Sequence, residues 1–279
     1  MAEELRAENQ MLKEILVLMK GAGDLATGVA YRLHRAGMQV VMTEVAQPTA
    51  IRRAVAFAEA VYQGEVVVEE IRARLVDGPE AARLALAEAV VPVLIDPEAG
   101  VTGELRPLVV VDARMAKRNL GTRLGEARVV VGLGPGFVAG RDVHAVVETL
   151  RGHTLGRVIL EGEAAPNTGV PGRVGGETER RILRSPVEGV FEALRQIGDT
   201  VIEGEVVAQV AGEPVRAHLS GVLRGILHDG LTVRHGMKVG DVDPRGVRDD
   251  CFTISDKALA VGGGVLEAIL YHLSREEQT

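Results

Sequence analysis

Short apolar runs alternate with segments of helical period along most of this chain, and the alternation changes character near residue 180. Residues 15–20 and 39–44 read as buried strands, and 24–36 between them as a helix ended by Gly37. Pro48 and Thr49 open a second predicted helix, in which Ile51, Ala54, Val55, Ala58 and Val61 recur at helical spacing. Residues 65–70 and 71–76 read as extended, 79–89 as a short helix, and 91–96, 108–112 and 128–133 as further strands. A helix over 141–151 and a strand over 157–161 complete the series, after a charged, partly helical lead-in at 1–14. Strands separated by helices predict a Rossmann-like, doubly wound parallel sheet with helices on both faces, occupying residues 1–180.

From Ser185 the chain becomes short extended segments punctuated by glycine, and it repeats itself. Gly189, Leu194, Gly198, Val201 and Gly204 return at a constant offset as Gly221, Ile226, Gly230, Val233 and Gly236. The two stretches, SPVEGVFEALRQIGDTVIEGEVVAQV (185–210) and HLSGVLRGILHDGLTVRHGMKVGDV (218–242), resemble the half-repeats of biotinyl/lipoyl-type domains. That resemblance implies a small all-β barrel-sandwich module over 181–245. Carriers of that type are modified on a lysine in the hairpin between the halves. Here the joining segment 211–217 has none, and Lys238 matches Val206 by the repeat offset, away from that hairpin. A scaffold without carrier chemistry is therefore expected. Residues 246–279 form the third predicted unit, with Ser255 as helix N-cap and an apolar helix over 256–273 that packs back on the first. Gly262, Gly263 and Gly264 interrupt it, each costing about 1 kcal/mol against alanine unless a close approach requires them.

Composition narrows the partners. Hydrophobic residues make up 46% of the 279 positions, enough for a sizeable core, while aromatics are 3% with no Trp, so stacking on bases is unsupported. A formal net charge of −7 argues against broad nucleic-acid binding. One Cys excludes an internal disulfide framework and a cysteine-built zinc site. No apolar run reaches the roughly 18–20 residues of a membrane helix, and no signal peptide is read, so a cytoplasmic protein with neither nucleic-acid nor membrane partners is expected.

The chemistry concentrates in loops that follow strands. KGAGDLATG (20–28) places Gly21 and Gly23 where backbone N–H groups approach an anion, with Thr27 offering a hydroxyl. Glu44, at the end of the next strand, stands where a ribose hydroxyl needs an acceptor. Asp24 argues the other way, since a carboxylate repels a phosphate held at that helix start. A second turn, GLGPGFVAGRDVH (132–144), supplies Gly134, Gly136 and Asp142, with His144 read as a surface or helix-start residue. DARMAKRN (112–119) brings Asp112 at a strand end and the cations Arg114, Lys117 and Arg118, suited to a phosphate or oxyanion. Arg52 and Arg53 read as solvated helix residues, and PNTGVPG (166–172) as a lid or a connection. Cys251 is a weak catalytic candidate, because Asp249 and Asp250 beside it oppose a thiolate. No Ser-His-Asp triad, HExxH motif or Walker lysine is present, no metal site is expected, and the catalytic residues are unknown.

KGAGDLATGVAYRLHRAG (20–37), VVMTEVAQPTAIRRAVAFAEAVY (40–62), DARMAKRN, GLGPGFVAGRDVHAVVETLRGH (132–153), PNTGVPG and CFTISDKALAVGGGVLEAIL (251–270) resemble the accessory proteins of the selenium-dependent molybdenum hydroxylase system. That family is related in outlook to xanthine dehydrogenase accessory proteins. The resemblance implies a maturation factor with a molybdenum hydroxylase as partner and a nucleotide-like or molybdopterin-type cofactor in the crevice near 21–28 and 132–142. Two alternatives stand beside it: an NAD(P) oxidoreductase using the same crevice, with Glu44 favouring NAD, and a non-catalytic adaptor. Homo-oligomerisation is left open.

Overall fold

The computed structural model describes residues 12–169 and 172–275, so the first eleven residues of the expected lead-in, and 170–171 of PNTGVPG, lie outside the described residues. At its centre is β1 (Leu16–Lys20), whose Val17, Leu18 and Met19 are fully buried. Successive strand side chains point to opposite faces, so a strand without an exposed position is covered on both. It is followed by α1 (Asp24–Arg35), β2 (Gln39–Glu44), α2 (Ala60–Gln63), β3 (Glu65–Val68), β4 (Ile71–Leu75), α3 (Gly78–Ala87) and β5 (Val91–Ile95). Then come α4 (Thr102–Leu105), β6 (Val109–Asp112), β7 (Val129–Leu133), β8 (Val138–Ala139), β9 (Ala145–Val147), β10 (Val158–Ile159) and β11 (Gly162–Glu163).

Nine of these strands form one sheet in the order β10-β9-β7-β6-β1-β2-β5-β4-β3. The inner pairs are parallel; β3 against β4 and β10 against β9 are antiparallel. β8 and β11 make a separate antiparallel pair. Val17, Met19, Val109, Val111, Val129 and Val131 share one core with Val29 and Leu33 of α1. Leu18, Val110 and Val130 share the opposite core with Ala82 of α3 and Leu105 of α4. Burying each such valine or leucine contributes about 1.5–3 kcal/mol.

The remaining strands are β12 (Ile182–Arg184), β13 (Gly189–Ala193), β14 (Thr200–Val201), β15 (Val206–Val210), β16 (Glu213–Arg216), β17 (Gly221–Ile226), β18 (Thr232–Val233) and β19 (Lys238–Asp243), before the long α5 (Asp256–Arg275). They form two four-stranded antiparallel sheets, β12-β19-β17-β14 and β16-β15-β13-β18. Strands of the two sequence copies pair with each other, β13 with β18 and β14 with β17.

This architecture corrects the expected Rossmann-like doubly wound parallel sheet with an appended biotinyl/lipoyl-like barrel. The large sheet is mixed, because the Glu69–Glu70 turn folds β3 back on β4, and it is accompanied by several antiparallel sheets. Nor are those sheets a loosely appended unit. Ile226 N donates to Ile51 O (2.9 Å), and a Cβ at Gly225 would stand 2.8 Å from Ile51 O. The helix expected from Pro48 is instead a chain of short turns, Arg53–Val55 and Phe57–Glu59, leading into α2. Between its turn bonds the backbone is taken by tertiary partners: Phe57 N donates to Thr27 Oγ1 (2.9 Å) and Ala58 N to Ala22 O (2.8 Å). The helix expected over 141–151 is also corrected. Ala145, Val146 and Val147 are fully buried and extend the sheet beside β7 as β9.

α5 lies against α1 at backbone contact. A Cβ on Gly28 would come 2.5 Å from Ala258 Cβ, and one on Gly262 would come 2.7 Å from Gly28 O. Gly264 meets the Gly156 carbonyl oxygen in the same way, whereas Gly263 faces open space. Gly28→Ala is therefore expected to lower unfolding free energy by about 1–3 kcal/mol through overpacking. Gly263→Ala is expected to raise it by about 0.5–1 kcal/mol through helix propensity. Urea denaturation of the two variants checks the contrast; the same sign for both would refute the close-approach argument.

Candidate functional site

The carboxyl ends of β2, β1 and β6 open into a crevice, at the point where the chain has left β1 in one direction for β2 and returns on its other side as β6. Open sheets with parallel strands place ligands at such switch points. Gly21, with φ 99°, turns the chain out of β1, and its N–H donates to Thr43 O (2.8 Å). Gly23 is the N-cap residue of α1, and Asp24 its first residue. A cavity of about 510 Å³ at this point is lined by Gly21, Gly23, Asp24, Glu44 and Arg114 among others.

The carboxylate of Glu44 is engaged locally. One oxygen accepts from Ala22 N and the other from Val45 N, both at 2.8 Å. It thus fixes the glycine turn, with lone pairs left toward the cavity. Thr27 is turned inward: its hydroxyl donates to Gly23 O (3.0 Å) and accepts from Phe57 N. Asp112 is buried and accepts from Arg114 Nε (3.1 Å) and from the Thr122 hydroxyl (2.8 Å), so it holds the guanidinium at the cavity edge. Gly134 and Gly136 allow loops to meet; a Cβ on them would stand 2.5 Å from Thr149 Oγ1 and 2.6 Å from Arg118 N. Their turn reaches the crevice through Leu133 and Pro135. Asp142 lines neither cavity. It accepts from Val138 N (2.9 Å) and pairs with Arg141, a hydrogen bond that lowers its pKa. Cys251 is buried, its Sγ 3.9 Å from Leu223 O, and burial pushes its thiol pKa up, away from thiolate chemistry.

Asp24, Leu25 and Met115 are shared with a second, larger cavity of about 790 Å³. Its walls come from both the large sheet and the antiparallel sheets. They bear eight basic side chains, Arg52, Lys117, Arg151, Arg173, Arg181, Arg224, Lys238 and Lys257, and two carboxylates, Asp24 and Asp241. Arg52 Nη1 stands 3.7 Å from Asp24, and Arg181 is hydrogen-bonded to Asp241. Arg151 is held by Asp256 at 2.7 Å and 2.8 Å, and Arg224 by Asp243 at 3.3 Å. Lys117, Arg173, Lys238 and Lys257 make no salt bridge among the described residues. The Nε atoms of Arg52 and Arg224 are buried without a hydrogen-bond partner, and Arg224 as a whole is only 8% exposed. Such a donor loses its hydration without compensation until something accepts from it. Desolvation lowers the pKa of Lys238, Lys257 and Arg52, with Arg224 adding to the effect at Arg52. Met115 and Lys117 have φ of 56° and 62°, a left-handed conformation that non-glycine residues adopt at a cost.

Most of this cationic wall escapes sequence reasoning, because its members are spread from residue 52 to residue 257. Of the cations singled out there as ligand candidates, Arg114 lines the smaller cavity and Lys117 the larger. Lysine usage carries a usable signal: the sequence has five lysines, and three of them meet in this cavity. Among the described residues no cluster of three or more His, Cys, Asp or Glu could hold a metal ion, and no helix is long and apolar enough to cross a membrane.

No protein-family model matches the chain. Over 255 residues it is 51% identical to the uncharacterized protein YqeB of Escherichia coli (strain K12), covering 91% of this chain and 47% of that protein. The chain thus spans about half the length of the curated relative it matches. Among solved structures it is similar to an aspartoacylase family protein of Mesorhizobium loti, at 12% identity and a TM-score of 0.28, covering 81% of this chain and 84% of that one. A succinylglutamate desuccinylase of Silicibacter sp. TM1040 gives 12% identity and a TM-score of 0.25, over 82% and 84%. The apo ectoine utilization protein EutE (DoeB) of Ruegeria pomeroyi gives 24% identity and a TM-score of 0.21, over 30% and 28%. None of these proteins is named as an accessory protein of selenium-dependent molybdenum hydroxylases. The resemblance drawn from the sequence motifs is corrected accordingly, and with it the expected maturation role and hydroxylase partner.

Proposed function

We propose that this chain binds a small polyanion, bearing phosphate or carboxylate groups, in the crevice between the large sheet and the antiparallel sheets, and that it does so in the cytoplasm. One observation carries the reading: a chain of net charge −7 gathers eight basic side chains against two carboxylates around a single cavity. Like charges brought together in a partly desolvated site repel one another, and a multiply charged anion removes that cost. Arg52 and Arg224 are both part of this lining, and guanidinium groups match the planar fork of a carboxylate or phosphate. α1 and α5 begin at this cavity, adding the positive ends of two helix dipoles. The adjoining smaller cavity would take an uncharged portion of the ligand, with Glu44 as an acceptor. A molybdopterin-type cofactor and NAD(P) both carry phosphate and belong among the compounds to be tried.

Calorimetric titration with pyrophosphate is expected to give saturable binding that weakens as salt is raised. Arg173→Ala and Lys238→Ala each remove an unpaired cation and are expected to cost about ten- to a hundredfold in affinity. Unchanged affinity in both would refute the cavity assignment.

Asp24→Asn removes the carboxylate nearest the start of α1 and releases Arg52 from it. Tighter pyrophosphate binding, by about two- to fivefold, is expected in the same titration. Weaker binding would mean that Asp24 serves the anion by positioning Arg52 rather than opposing it.

A further inference from the structure

The chain uses arginine for most of its cations, with five lysines among 32 basic residues. Lys13 is exposed, and Lys20 is buried beside Thr122 (2.8 Å) and Glu126 (2.5 Å). The other three, Lys117, Lys238 and Lys257, all line the larger cavity, among five arginines. A guanidinium holds an anion at least as well as an ammonium does, and with better defined geometry. What it cannot do is lose its proton and attack a carbon atom. The gathering of three of the five lysines at one cavity points to an amine retained there for its chemistry.

Lys117 is exposed, whereas Lys238 and Lys257 are half-buried. Lys257 has the more telling position. It lies in the first turn of α5, two residues after Ser255, whose Oγ accepts from Ala258 N (3.2 Å). The positive end of a 20-residue helix is the wrong place for an ammonium ion. Its Nζ makes no hydrogen bond or salt bridge among the described residues. The neighbouring carboxylate of Asp256 is occupied by Arg151 through two hydrogen bonds. Desolvation and Arg151 disfavour its charged form, while Asp24, Glu148 and Asp256 oppose them in part, and the net shift is downward. Arg224, only 8% exposed and with its Nε lacking a hydrogen-bond partner, lines the same cavity, and the eight basic side chains there against two carboxylates independently call for an anionic ligand.

We propose that Lys257 is the nucleophile of the crevice and forms an imine with a small anion that carries a ketone or aldehyde group. The inference rests on the reading of the crevice as a polyanion site. The neutral Nζ adds to the carbonyl carbon, forming a C–N bond while the π electrons of C=O move to oxygen. Both amine hydrogens pass to that oxygen, which leaves as water, and C=N remains; no oxidant or reductant takes part. The surrounding arginines hold the anionic groups and so aim the carbonyl at Nζ.

Pyridoxal 5′-phosphate, an aldehyde with a phosphate, is the probe. The full chain is treated with it and with borohydride, which fixes any imine, and labelled peptides are mapped by mass spectrometry. Calorimetry with pyrophosphate runs in parallel. Lys257 is expected to be labelled several-fold faster than exposed Lys13, with pyrophosphate suppressing the reaction. Labelling no faster than at Lys13, labelling concentrated on Lys238 or Lys117, or rapid labelling that bound pyrophosphate fails to suppress would each overturn the proposal. Pyrophosphate binding without Lys257 labelling defeats the imine alone. Absence of pyrophosphate binding defeats the polyanion reading beneath it.

Discussion

The contact between Gly28 and Ala258 is the constraint on which the crevice depends. Without a side chain at Gly28, α1 and α5 approach until backbone touches backbone, and Gly262 extends the approach toward Val29 and Arg32. The contacts advance along both helices in the same direction, so the two run parallel and their first turns come together. Asp24 and Lys257 are thereby brought to one cavity from positions more than 200 residues apart. Larger residues at Gly28 or Gly262 would separate the helices and move the first turn of α5 away from the ends of β1 and β6.

Electrostatics within the crevice are layered. Carboxylates are present, but they act mainly on neighbouring protein groups: Glu44 on the N–H groups of Ala22 and Val45, Asp112 on Arg114, Asp256 on Arg151. Each orients a loop or a guanidinium rather than neutralising the cavity as a whole. The cations without carboxylate partners are left to the solvent-accessible interior, where the dielectric is lower than in bulk water and charge acts over a longer range. A crevice of this sign on a chain of net negative charge attracts small anions locally while the rest of the surface repels large ones.

The strands β1, β2, β5, β6 and β7 are legible in the sequence because each is a continuous apolar run bounded by glycine, proline or charge. The chain from Pro48 to Glu59 is not. Ile51, Ala54, Val55 and Ala58 imitate helical spacing, yet Ile51 O and Ala58 N bond to other elements while Val55 N closes only a short turn on Arg52 O, and no local pattern records that. Residues 145–147 misled in the same way, since three fully buried residues next to a sheet edge extend the sheet. At the site, Gly21, Gly23, Asp24, Glu44 and Arg114 fall on one cavity because they all end or follow adjacent strands. Thr27 and Asp112 were visible as polar residues at the right positions, but their inward orientation depends on Phe57 and Thr122, which sequence distance hides. Arg151, Arg173, Arg181, Arg224 and Lys257 meet only through tertiary folding, so no local pattern marks them as a group.

The provenance of the cavity wall bears on how the molecule comes into being. Its lining begins at Asp24 and closes with Lys257, and no single stretch of the chain supplies more than a fraction of it. Before β19 and α5 are made, the large sheet carries only one flank of the crevice, and Val261, Val265, Ala268 and Ile269, which complete its core, are still missing. Contacts of such long sequence separation are entropically costly and form late. Ligand capture is consequently a property of the finished chain, and an occupied crevice would clasp its earliest and latest segments together, resisting the local opening by which proteins are unfolded and degraded.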